Sequence, residues 1–138
     1  MALSYARPHT DASAAVWLRR FLALDAAVTG VNGLAYLLLS GPCGRLLGVG
    51  QELLAGLGAG LVLYAVAVGW TATRRPAPRL AVRAIVEINL AWAVLSIAAM
   101  TLWFDGLTTA GTVWAPLQAA VVAGFAVLQY TALRRVDA

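Results

Sequence analysis

Lysine is missing from this sequence altogether, and 138 residues include a single histidine and a single cysteine. A lone Cys43 excludes an intramolecular disulfide and a cysteine-based metal site. The sole histidine, His9, lies in a polar N-terminal stretch, so neither a histidine-rich metal centre nor a Ser-His-Asp triad can form inside the apolar part of the chain. Charge is equally scarce. Only 12% of the residues are charged, where soluble domains carry roughly 25%. No metal and no cofactor is expected. No residue set stands out as catalytic, so the residues leave open whether the chain is an enzyme.

What is present in excess is apolar surface. Hydrophobic residues make up 62% of the chain, and the mean hydropathy is +0.81. Such a composition excludes a soluble globular domain, a disordered chain and a coiled coil, and leaves an integral membrane protein of one domain. Ten arginines oppose six acidic residues, for a net charge of +4. Because the arginines flank apolar runs, they are read as orientation signals in a bilayer. Nucleic acid is not expected as a partner. Exclusive use of arginine beside abundant Ala, Val, Leu and Gly matches a GC-rich bacterial genome, and so a bacterial inner membrane.

Crossing the hydrocarbon takes about 20 helical residues. Four segments qualify, at about residues 21–40, 53–71, 83–104 and 113–133, preceded by a polar cytoplasmic segment over 1–20. None alternates with a period of two, as a barrel strand would. The expected fold is therefore all-α, a polytopic bundle of four transmembrane helices. Its first connection, 41–51, carries Pro42, glycines and Arg45; the second, 74–82, is rich in Arg and Pro; the third, 105–112, holds an acid and no base.

Arginine clusters before the first span (Arg19, Arg20), between the second and third, and after the fourth (Arg134, Arg135). All three places fall on one side of a four-span chain, which puts both termini in the cytoplasm of a multi-pass cell-membrane protein. Trp17, Trp70 and Tyr130 fall at that boundary, and Trp103 and Trp114 at the other, as headgroup-level anchors. The first apolar run is too long and too polar for a cleaved signal, and Pro42 before Cys43 is wrong for a cleavage site, so the first span is read as retained.

An offset of 60 residues lays Trp70-Thr71-Ala72-Thr73-Arg74-Arg75 over Tyr130-Thr131-Ala132-Leu133-Arg134-Arg135, and the first span over the third. Two repeated helical hairpins of like orientation would follow, as in some transport folds. Chance alignment of arginine-ended apolar helices is the competing account.

Polar groups inside a span cost roughly 2.5–3.5 kcal/mol each when ionisable and need a reason to be there. Asp25, Thr29, Asn32 and Tyr36 recur at helical spacing, on one face of the first span. Asn89, Trp92 and Ser96 do the same on the third. Together these seven are the candidate ligand-binding residues, facing each other across a polar intramembrane seam. A hydrogen-bonded stripe that only glues helices together is the bland alternative. Trp92 at mid-span either fills core volume or offers its ring face to a cation. Glu87, off this face and one turn beyond Arg83, is expected to pair with Arg83. Asp25 has the option of a snorkelling Arg19 or Arg20. Gln118 and Gln129 are expected near the two ends of the fourth span, solvated. Small-residue pairs at Gly56/Gly60, Ala26/Gly30 and Ala120/Gly124 are expected to bring helices close or to form a homodimer interface.

Three functions fit these residues. The leading one is a non-catalytic binding or accessory module for a lipophilic small molecule or a membrane-protein partner. The second is a compact proton-coupled transporter of small lipophilic molecules, built around Asp25. The third is a membrane-embedded enzyme, of isomerase or cyclase type, on a lipid or isoprenoid. It would use Asp25 and Glu87 as acid and base, and their different facing weighs against it.

Overall fold

The computed structural model describes residues 2–102 and 105–137; the side chains of residues 2–11 and 137 are not described, and Trp103 lies outside the described residues. The described chain is helical with no strand: α1 (Ala2–Leu38), α2 (Ser40–Leu47), α3 (Gln51–Thr73), α4 (Arg79–Leu102) and α5 (Thr109–Asp137). Four of them, α1 from Ala12 onward together with α3, α4 and α5, are long and apolar enough to cross a membrane. Helices are the natural solution, because a spanning segment must satisfy its backbone groups internally.

Local sequence explains most of the boundaries. Gly48, at φ 76°, ends α2 in the left-handed conformation, and its N–H donates to the Gly44 carbonyl. Glu52 sits in the first turn of α3, where a negative charge complements the helix dipole. Arg74 leaves that helix in an extended conformation, two residues before Pro76. Thr108 caps α5: its Oγ1 accepts the Gly111 N–H at 3.1 Å. The same hydroxyl donates to the Leu46 carbonyl, and the Thr108 N–H donates to Leu47 O at 3.2 Å, so one residue clasps the end of α2 to the start of α5.

One expectation about the elements is corrected. The stretch 41–51 is not simply a loop, since α2 occupies most of it and carries Cys43, whose Sγ lies 3.8 Å from the Ala35 carbonyl oxygen. Residues 2–20 are helical and continuous with the first span, because α1 runs through them without a break. Ala14, Leu18 and Leu22 form an i, i+4 apolar stripe that continues into the core, with Leu18 3% and Leu22 0% exposed.

Packing follows the two hairpins in part. The α1–α3 contact is the most extensive, followed by α4–α5 and then α1–α5. Around the bundle the spans therefore run α3, α1, α5, α4. The ring is left almost open between α4 and α3, although only residues 74–78 separate those two helices in sequence. At the arginine-rich end the core is closed by Leu18, Leu22, Val68, Val82, Ile85, Ala132 and Leu133. At the opposite end, Tyr36, Leu47 and Leu54 form a second cluster, with α2 laid across it.

Glycine sets the closest approach, though not at the expected pairs. A Cβ on Gly58 would fall 2.5 Å from the Leu37 nitrogen and 2.7 Å from the Gly33 carbonyl oxygen, and one on Gly33 2.9 Å from the Val62 nitrogen. Gly33 and Gly58 are thus the crossing point of α1 and α3. Gly30 also faces α3, at ordinary distance from Ala65, whereas Gly56, Gly60 and Gly124 face open space. Spacing alone could not tell which face of α3 turns to α1, since glycines at 56, 58 and 60 point to different sides of one helix.

Candidate functional site

All four spanning helices contribute to one buried polar cluster. Asp25 of α1 is 1% exposed, Asn89 of α4 2% and Gln129 of α5 0%. Asp25 Oδ2 accepts from Gln129 Nε2 at 2.8 Å and from Asn89 Nδ2 at 2.9 Å. Thr29 Oγ1 donates to Asp25 Oδ1 at 3.0 Å. Asn89 Nδ2 also donates to Gln129 Oε1 at 3.1 Å. Tyr64 of α3 completes the set, its hydroxyl lying 2.9 Å from Asn89 Oδ1 and 3.2 Å from the Ile85 carbonyl oxygen. No buried side-chain nitrogen or oxygen among the described residues lacks a partner. The cluster is complete without any outside group, as a buried polar network must be to be stable.

Above this cluster, towards the α2 end, the opening between α3 and α4 widens into a cavity of about 820 Å³. Its walls are chiefly apolar: Val28, Val31 and Ala35 from α1, Leu57 and Leu61 from α3, Ile88 from α4, and Leu117, Val121 and Val122 from α5. Gly56 and Gly60 form part of the α3 wall, and their missing side chains leave the space free. Thr29, Asn89 and Tyr64 reach the cavity from the polar cluster, while Asp25 does not line it. No residue of ordinary charge lines it either.

Two tryptophans border this space. Trp92 Nε1 donates to Gln118 Oε1 at 3.0 Å, and Gln118 Nε2 donates to the Ala115 carbonyl at 3.1 Å. Trp114 Nε1 donates to the Tyr36 hydroxyl at 2.5 Å, bridging α5 to α1 beside the closed α2 end. Asn32 also lines the cavity, half-buried, and its amide makes no hydrogen bond with another described residue.

The seven sequence candidates therefore separate into three groups. Asp25, Thr29 and Asn89 converge in the polar cluster, and Asn32 and Trp92 line the cavity. Tyr36 is buried beside Trp114 and belongs to the cap. Ser96 bonds the Trp92 carbonyl one turn back at 2.7 Å and does not reach the cavity. Sequence reasoning missed four participants: Tyr64, Trp114, Gln118 and Gln129. Gln129 is fully buried rather than solvated, because α5 extends to Asp137 and so carries position 129 into the core. That Gln118 and Gln129 lie eleven positions apart, close to three helical turns, was the available signal that both face inward.

Two expected ion pairs are absent among the described residues. Asp25 is held by amides and a hydroxyl, not by arginine; Arg19 Nε instead donates to the Ala72 carbonyl at 3.3 Å. Arg83 and Glu87 line a common groove without pairing to each other. The arginines at the ends of three spans meet rings instead: Arg20 over Trp17 at 5.1 Å, Arg74 over Trp70 at 4.2 Å and Arg134 over Tyr130 at 5.8 Å. These exposed ring–guanidinium pairs all lie at one end of the bundle.

Among the described residues, no three His, Cys, Asp or Glu side chains gather closely enough to hold a metal ion. No family model matches the chain, no curated protein is significantly similar to it, and no solved structure matches its fold.

Proposed function

We propose that this protein is a non-catalytic membrane module that binds an uncharged lipophilic molecule in the cavity between α3 and α4. The observation that carries the reading is the direction of access. The core cluster around Leu22 and Val68 closes one end of the bundle, and α2 with Tyr36 and Leu54 closes the other. The opening that remains is the lateral one between α3 and α4, at the level of their apolar surfaces. A molecule dissolved in the bilayer reaches such a site directly.

The lining supports the chemical class. A volume of about 820 Å³ falls within the roughly 300–1,000 Å³ of small-molecule sites. A wall without charge favours a neutral occupant, since a lone charge there would find no counter-ion. The amide of Asn32, without a hydrogen-bond partner among the described residues, offers two N–H donors and a carbonyl acceptor, matched to a hydroxyl or carbonyl on the ligand. Asp25 supports neither transport nor acid–base catalysis in this arrangement. It does not line the cavity, and its two oxygens are engaged by three donors. Its role in this reading is to fix the floor of the site. The arginine-rich end is the cytoplasmic side, and both termini lie there.

The reading is tested by gentle extraction followed by analysis of the bound lipid fraction. Wild type is expected to carry a neutral lipid in stoichiometric amount. Gly60→Leu, which fills the cavity from a position with open space before it, is expected to fold normally and lose that lipid. A wild-type protein without bound lipid, or a Gly60→Leu variant that retains it, refutes the proposal.

A further inference from the structure

The polar floor of the large cavity is one-sided in its hydrogen bonding. Thr29 spends its only hydroxyl proton on Asp25 Oδ1 at 3.0 Å. Tyr64 shares its own between Asn89 Oδ1 at 2.9 Å and the Ile85 carbonyl oxygen at 3.2 Å. Both N–H bonds of the Asn89 amide are taken, by Asp25 Oδ2 and Gln129 Oε1. Thr29, Tyr64 and Asn89 therefore reach the cavity with lone pairs and no proton to give.

A second polar tier lies nearer α2 and has the opposite character. The hydrogen bond between Trp114 and Tyr36 fixes the register of α1 against α5, which runs the other way as the fourth span against the first. Asn32 lies four residues before Tyr36 and Gln118 four residues after Trp114, so both stand one turn from that pair, at the same level. Both line the cavity. Gln118 Oε1 accepts from Trp92 and one of its N–H groups goes to the Ala115 carbonyl, which leaves the other N–H to give. The Asn32 amide, without a hydrogen-bond partner among the described residues, keeps two N–H donors and its carbonyl. This donor-rich tier stands about 4.5 Å along α1 from Thr29, three residues of helix.

Resting on the reading of this cavity as a site for a neutral lipophilic molecule, we propose that its occupant is a glycerol ester with a free hydroxyl, of the diacylglycerol class. The hydroxyl donates to the acceptor floor, and an ester carbonyl accepts from Asn32 and Gln118. The acyl chains leave through the opening between α3 and α4, beside Gly56 and Gly60. The glycerol frame sets hydroxyl and carbonyl a few bonds apart, comparable with the rise of about 4.5 Å between the tiers. Competing lipids fail on one tier or the other. A quinone brings only acceptors and has nothing to donate to the floor. A phosphate brings acceptors and negative charge to a wall without a cation. A plain long-chain alcohol satisfies the floor and leaves the Asn32 amide unused.

The test uses the full-length protein in non-ionic micelles, with bound lipid counted by native mass spectrometry. Three probes are titrated: dioctanoylglycerol, its acetylated derivative, which blocks the hydroxyl, and the ether dioctylglycerol, which keeps the hydroxyl and lacks the carbonyls. Wild type is expected to bind dioctanoylglycerol about three- to tenfold more tightly than either of the others, the effect of one hydrogen bond. Asn32→Leu should bring the ester down to the level of the ether and leave the ether unchanged. Tyr64→Phe, which removes one floor oxygen, should narrow the gap between the ester and its acetylated derivative. Circular dichroism checks that each variant is folded, and the comparison of probes on wild type needs no variant. Equal binding of all three probes, lost in Gly60→Leu, overturns the glycerol ester and leaves the cavity a site for some other neutral lipid. Binding of dioctanoylglycerol that survives Gly60→Leu overturns the reading of the cavity as well. A preference for the ester over the ether that survives Asn32→Leu also overturns the proposal.

Discussion

Replacing Asp25 in two different ways separates a structural carboxylate from one whose charge matters. Asp25→Ala removes the acceptor of three hydrogen bonds, from Thr29, Asn89 and Gln129, and leaves buried donors at Gln129 and Thr29 without their partner. Hydrogen bonds between membrane helices contribute about 0.6 kcal/mol on average and about 1.7 kcal/mol at most. Three of them give a loss of about 2–5 kcal/mol for Asp25→Ala. Asp25→Asn is a different case. Both amide donors converge on Oδ2, and the other oxygen meets a hydroxyl. An asparagine with its carbonyl in the Oδ2 place keeps both amide contacts, and its NH₂ donates to Thr29 Oγ1, which can accept as well as donate. The loss should then stay within about 1 kcal/mol. Unfolding by SDS titration in non-ionic micelles measures both variants on one scale. If Asp25→Asn is as damaging as Asp25→Ala, the carboxyl group itself is required and the structural reading fails. If neither variant is destabilised, the network is not what joins the four helices.

Three further outcomes are expected. Gly58→Ala should destabilise by about 1–3 kcal/mol through overpacking, because its Cβ meets α1 backbone at 2.5–2.7 Å; Gly56→Ala, with open space before it, should be neutral or slightly stabilising in the same titration. In a variant with Cys43 replaced by serine, a cysteine at exposed Asp105 should react with an impermeant thiol reagent in intact cells, and one at exposed Arg75 should react only after permeabilisation; the reverse pattern inverts the topology. Gly48→Ala should lower the melting temperature, since φ 76° disfavours a side chain and a Cβ there would strike the Gly106 carbonyl. Normal melting of that variant would refute a fixed α2 cap.

Composition and segment length were enough to establish the class of fold, the number of apolar spans and the clustering of arginine at their ends. Those properties depend on composition and on segment length against a bilayer of known thickness, and neither needs a partner helix to be read. The sequence also determined that Asp25, Thr29 and Asn89 turn inward, because polar groups at helical spacing in an apolar span have one acceptable direction. Which helix meets which was decided only by the tertiary structure. The inclusion of Gln129 and Tyr64 in the cluster depends on how far α5 and α3 slide past α1. That register is set by packing such as the Gly33–Gly58 crossing, which spacing within one helix does not encode. The cavity belongs to the same level. Gly56 and Gly60 resemble a packing motif in sequence, and they line open space because α3 turns a different face, that of Gly58, to its neighbour.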